Sequence, residues 1–243
     1  NVSPLVFRTI KKINRVAVMN GERAGQAVPF RLTDLLVLDG KWSGSENLQL
    51  VRDLAFLHVA YATLLRISEL SRLRVRDVMH AVDGRIILDV AWTKTIVQTG
   101  GLIKALGTRS TQRLEQWIEA SGLSNQPDAY LFTAVHRSGR VLVAEKPMST
   151  RALEQIFNRA WRSAGNVGAV KANKNRYSGW SGHSARVGAA QDMADNGYPI
   201  ARIMQEGTWK KPEPLMRYIR HVDAHKGAMV EFMDQYADTD LSD

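Results

Sequence analysis

Cysteine is absent from the 243 residues. That excludes disulfides, thiolate metal ligands and cysteine nucleophiles, and it suits a reducing, cytoplasmic setting. No apolar run approaches the ~20 residues of a membrane span, and the first residues show no signal-peptide pattern. Repeats and low-complexity segments are also missing. Acidic residues are the scarcer charge, 24 against 33 Lys and Arg, for a formal net charge of +9. Such an excess points to a polyanionic partner, and nucleic acid is the commonest. The basic residues recur along the patterned segments, whereas the tail DQYADTDLSD is acidic.

Apolar spacing gives a mostly helical chain with a small antiparallel sheet. VSPLVFRTIKKINRVAVMN reads as a basic amphipathic helix, and GERAGQAVP as a linker. Thr33 and Asp34 open a short helix. NLQLVRDLAFLHVAYATLL is apolar almost all round and reads as a buried central helix. RISELSRLRVRDV follows as a short helix with a turn. The period then changes: RIILDVAWTKTIV and GLIKALG read as antiparallel strands. TRSTQRLEQWIEASG is a helix closed near Gly122, and YLFTAVHRSGRVLV is irregular or a hairpin. In STRALEQIFNRAWRSAG, Ser149 caps a helix that buries Leu153, Ile156, Phe157 and Ala160 and ends at Gly165. Helices continue from WSGHSARVGAAQDM to the end.

That stretch carries chemistry. Ser181 is a candidate N-cap, and His183 and Arg186 fall together in the first turn or so. A helix start offers free N–H groups and partial positive charge, so a guanidinium and an imidazole added there suit a phosphate. The small residues Val187, Gly188, Ala189 and Ala190 let the helix pack closely. An incidental His and Arg is the plain alternative. Three other places add to it: Arg66 and Glu69 in LLRISEL, Lys94 in AWTKTIV, and Trp209 with Tyr218 in EGTWKKPEPLMRYIRHV. Each alone also reads as a surface ion pair, a strand lysine or a packed tyrosine.

Taken in this order, RISEL, TKT, GHSAR, GTW and RYIR resemble the tyrosine site-specific recombinases, over nearly the whole chain. The resemblance implies a catalytic domain over residues 21–243, preceded by an interdomain segment at 1–20, with the family's N-terminal core-binding domain absent from this chain. It implies that Tyr218 attacks DNA and forms a 3′-phosphotyrosine, with strands exchanged through a Holliday junction. Arg66 and Arg186 would grip the phosphate, completed by His183 and Trp209. Lys94 would protonate the leaving 5′ oxygen, and Glu69 would position neighbouring groups. Arg151 and Glu154 would read the major groove, Arg176 and Tyr177 would follow the backbone, and His136 and Arg137 would approach DNA. The implied partner is a specific double-stranded site, with a tetramer assembled on it through the C-terminal helix and its apolar Ala228, Met229, Phe232 and Met233. No metal or cofactor is expected, since the sequence shows no evident metal cluster of carboxylates, and no ATP is needed for religation, because a covalent intermediate stores the bond energy. The rivals are a type IB topoisomerase-like enzyme and a basic DNA-binding regulator without catalysis.

Overall fold

A computed structural model describes residues 26–91, 101–165 and 179–225, together with Met233. The described order is α1 (Leu32–Trp42), α2 (Leu48–Thr63), α3 (Ile67–Leu70), a 3₁₀ turn (Val75–Asp77), β1 (Val78–His80), β2 (Ile86–Val90), β3 (Leu102–Ala105) and α4 (Thr108–Ala120). Then come β4 (Ala134–Val135), β5 (Val141–Leu142), α5 (Thr150–Ser163), α6 (Ser184–Asp195), α7 (Ile200–Glu206) and α8 (Pro212–His225). Helices dominate, beside a three-stranded antiparallel sheet in the order β1-β2-β3 and a two-stranded hairpin of β4 and β5.

The central helix is as apolar as its sequence: Leu54, Ala55, Phe56, Leu57, Val59 and Ala60 of α2 are all buried in the main core. It ends in the left-handed conformation at Leu64, φ 53°. The helix α5 is also the expected one. Ser149 Oγ accepts the Ala152 N–H at 3.1 Å, and Leu153, Ile156, Phe157 and Ala160 form its buried face. The segment YLFTAVHRSGRVLV resolves into the β4–β5 hairpin, with Gly139 at φ 83° in its turn. Strand β1 was not expected; two of its three residues are exposed, so it carries no apolar alternation.

Two apolar clusters meet at α6. Ala185 belongs to the main core, whereas Ala190 packs with Ile203, Leu215 and Ile219 from α7 and α8. Every residue from Ser184 to Gln191 is buried, which accounts for the run of small side chains. The Phe30 backbone crosses this helix, its N–H donating to the Ser184 carbonyl at 3.0 Å. A Cβ on Gly188 would lie 1.8 Å from the Phe30 carbonyl oxygen. Backbone cannot move aside as a flexible side chain can. Gly188→Ala should therefore cost at least the upper end of the ~1–3 kcal/mol usual for overpacking, read as a lower denaturant midpoint. An unchanged midpoint would mean that α6 does not pack this tightly.

Candidate active site

The helix that opens the site starts later than its sequence suggests. Its N-cap is His183, not Ser181. Ser181 instead opens a preceding turn: its carbonyl accepts the Ser184 N–H, and the Ser184 hydroxyl accepts the Ser181 N–H at 2.9 Å. The expected outcome survives the shift, because His183 and Arg186 still occupy one end of α6.

Arg186 is 2% exposed. Its two terminal nitrogens donate to the carbonyls of Leu64 and Gly207, and its guanidinium lies 4.1 Å from the Trp209 ring centre. Leu64 and Thr208 are the non-glycine residues with positive φ among those described, both at 53°. One is an Arg186 acceptor and the other directly follows one. Left-handed backbone at such residues costs on the order of 1–3 kcal/mol and persists only where the surroundings hold it. Charge-assisted bonds from a buried guanidinium do so here. Burial, followed by the charge of Arg66, pushes the Arg186 pKa down to about 10, with Tyr218 and Glu69 opposing. It stays cationic at neutral pH, with three of its five N–H groups not used by those two carbonyls.

Arg66 caps α3. Its N–H and guanidinium both reach Glu69, at 2.8 and 3.0 Å, and the Glu69 carboxylate is 2% exposed. Arg66 remains half-buried, so Glu69 orients a cation that still faces outward.

Tyr218 sits at the edge of the apolar stripe of α8, packed against the cluster of Ala190, Ile203, Leu215 and Ile219. Leu215 and Ile219 are fully buried, but Tyr218 is half-buried and turned toward the cradle. Its hydroxyl is hydrogen-bonded to His183 Nε2, with ring centres 5.5 Å apart, and its ring meets Trp209 edge-on at 5.9 Å. Partial desolvation, then the charges of Arg186 and Arg66, hold the His183 imidazole below its ordinary pKa. A neutral ring with its proton on Nδ1 leaves Nε2 free to accept from the phenol. Gly207 shapes the same wall: a Cβ there would lie 2.0 Å from the Trp209 ring.

The structure thus gathers Arg66, Glu69, His183, Arg186, Trp209 and Tyr218. Lys94, Arg176 and Tyr177 lie outside the described residues. Val90 and Ala91, just before the Lys94 segment, line one cavity with Glu69. Arg151 and Glu154 are exposed in the first turns of α5, and His136 and Arg137 are exposed at the hairpin turn, facing the N-terminus of α2 across a cleft. Helix α5 packs against α3, the helix that Arg66 caps. Ala228, Met229 and Phe232 lie outside the described residues, and Met233 is 61% exposed. One contributor escaped the sequence reading. Lys104 on β3 is buried, and its ammonium donates to the Glu206 carbonyl and carboxylate, tethering the sheet to the residue before Gly207. Among the described residues, no group of three His, Asp or Glu could hold a metal, and no helix could cross a membrane.

Arg186→Lys tests the wall. A single ammonium cannot reach both carbonyls and an incoming anion. The DNA cleavage that the resemblance implies should slow by about 10²–10³-fold, the usual effect of removing one transition-state donor. Wild-type single-turnover rates would contradict this.

The comparisons with known proteins agree. The model of the phage integrase family matches residues 43–225. The chain is 44% identical over 235 residues to the recombinase cre of Escherichia phage P1, covering 96% of this chain and 67% of that protein. It is 33% identical over 129 residues to the tyrosine recombinase XerC of Pseudomonas fluorescens, covering 53% and 40%. Among solved structures, the XerA recombinase aligns with a TM-score of 0.57 at 16% identity, over 84% of this chain and 65% of that one. XerH bound to its difH substrate after cleavage gives 0.57 at 14%, over 84% and 54%. The last two show the shared fold, and the chain spans less than two thirds of each. By its family model, its identity to a curated recombinase and its fold, the chain belongs to the phage integrase family of tyrosine recombinases.

Proposed function

We propose that this chain is the catalytic part of a site-specific DNA recombinase that cuts and rejoins strands without metal or ATP. The observation that carries the reading is the contact between Tyr218 hydroxyl and His183 Nε2, beside two arginines. Tyr218 attacks the scissile phosphate as its proton passes to His183. Arg66 and Arg186 take up charge on the non-bridging oxygens, with Trp209 walling the cradle, and Glu69 holds Arg66. Lys94 protonates the 5′ oxygen as it leaves. The phosphodiester becomes a 3′-phosphotyrosine, and the reverse attack by a 5′ hydroxyl restores a DNA strand.

Residues 21–243 act as this catalytic unit and 1–20 as a connection to a DNA-clamping N-terminal domain of the intact protein. Arg151 and Glu154 read bases, His136 and Arg137 approach the duplex, and Arg176 and Tyr177 follow its backbone. Exchange proceeds through a Holliday junction in a tetramer joined by the C-terminal helix, on DNA in the cytoplasm. Support comes from the exposure of the described members of this set and from the net charge of +9.

The test uses a duplex enriched by binding from a random library, nicked in turn beside each bond. The freed end diffuses away, so a covalent species accumulates. A protein–DNA adduct that survives denaturant is expected. Its absence at every nick would leave a non-catalytic DNA-binding protein. Adducts without exchange between two duplex sites would favour a type IB topoisomerase-like enzyme.

A further inference from the structure

Gln191 lies five residues, about a turn and a half, beyond Arg186 on α6 and is 8% exposed. Its Nε2 donates to the main-chain carbonyl of Tyr218 at 2.9 Å, and its Oε1 accepts from Arg31 at 3.2 Å. The two partners fix the amide's orientation, because a guanidinium only donates and a carbonyl only accepts. The Tyr218 carbonyl lies inside α8 and has a second lone pair for this bond. Gln26 reaches the same oxygen at a longer 3.4 Å.

Arg31 is itself held. Its Nε is 2.6 Å from Asp192, another terminal nitrogen pairs with Asp195, and Asp192 also accepts the Leu32 N–H at 2.8 Å and the Tyr61 hydroxyl at 2.6 Å. Helix α6 therefore touches the candidate nucleophile at both ends. His183, at its start, meets the Tyr218 hydroxyl, and Gln191, eight residues or about 12 Å along, grips the Tyr218 backbone. The helix that carries Arg186 thus sets the depth at which the phenol enters the cradle.

From this we infer that Gln191 is a positioning residue for cleavage, braced by Arg31, which fixes the backbone of Tyr218 relative to the anion cradle. The inference rests on the proposed role of Tyr218. Attack needs the reacting atoms about 3–3.5 Å apart and aligned, and a displacement of about 1 Å can cost on the order of 10²-fold in rate. Loss of this one bond should therefore slow the chemical step and leave affinity for DNA intact.

Two variants test it on the nicked duplex. Gln191→Met keeps the length of the side chain and removes both polar atoms. Gln191→Glu keeps an acceptor for Arg31 and sets a carboxylate against the Tyr218 carbonyl. Both should form adduct roughly 10–10²-fold more slowly at saturating DNA, with the dissociation constant within twofold and the thermal midpoint within about 3 °C. Adduct formation at the wild-type rate would overturn the inference. So would a rate loss matched by lost affinity or a collapsed midpoint in both variants, which would make Gln191 a packing residue. If the unsubstituted protein forms no adduct, the recombinase reading itself falls, an outcome separate from either.

Discussion

Tyr218→Phe should abolish the covalent adduct, by more than roughly 10⁴-fold, while DNA binding survives. The substitution removes one oxygen. The ring keeps its edge contacts to His183 and Trp209 and its place beside the cluster of Ala190, Ile203, Leu215 and Ile219. The helix keeps the Gln191 bond, which uses the backbone. A fully buried tyrosine with a structural hydroxyl would predict the reverse: a drop in stability and an unchanged adduct. Tyr218 is half-buried, and its hydroxyl meets a histidine whose depressed pKa keeps it neutral and able to take a proton. Adduct formation by the Phe variant at a measurable fraction of the wild-type rate would remove Tyr218 from the chemistry.

Lys94→Ala should slow cleavage by about 10²–10⁴-fold, the range for loss of a general acid. An alkoxide is a poor leaving group unless protonated as the bond breaks. Replacing the bridging 5′ oxygen by sulfur makes the departing group a stable thiolate that needs no proton. The sulfur duplex should therefore restore cleavage to Lys94→Ala and leave Tyr218→Phe inert. Lys104 offers an internal control, because its ammonium is committed to Glu206. If sulfur rescues neither variant, Lys94 is not the acid. If it rescues Lys104→Ala in place of Lys94→Ala, the roles belong to the other lysine.

The legible parts of this chain are those with strong local signals. Helix α5 could be drawn residue by residue, because a serine cap, four apolar residues at helical spacing and a closing glycine all agree. The cradle was legible as His183, Arg186, Trp209 and Tyr218 in order, since family motifs preserve spacing even where physical meaning is hidden. What stayed hidden depends on distant partners. Ser181 looks like a cap, yet the Ser184 hydroxyl folds back to its N–H and moves the helix start. Leu64 adopts a left-handed backbone that no leucine advertises, sustained by Arg186 from 122 residues away. Lys104 and Glu206 are 102 residues apart, and Gln191 reads as an ordinary polar residue until α8 packs beside it. Strand β1 shows no alternation because its outer residues face solvent.

The central claim is that Tyr218 itself becomes joined to DNA. The direct measurement is peptide mapping of the denatured adduct formed on the nicked duplex, after nuclease trimming to a short nucleotide remnant. The mass of that remnant should sit on Tyr218, in a linkage stable to hydroxylamine and to acid, as expected of a phosphotyrosine and not of an acyl phosphate or a phosphohistidine. A remnant on His183, on Lys94 or on any other residue would contradict the account.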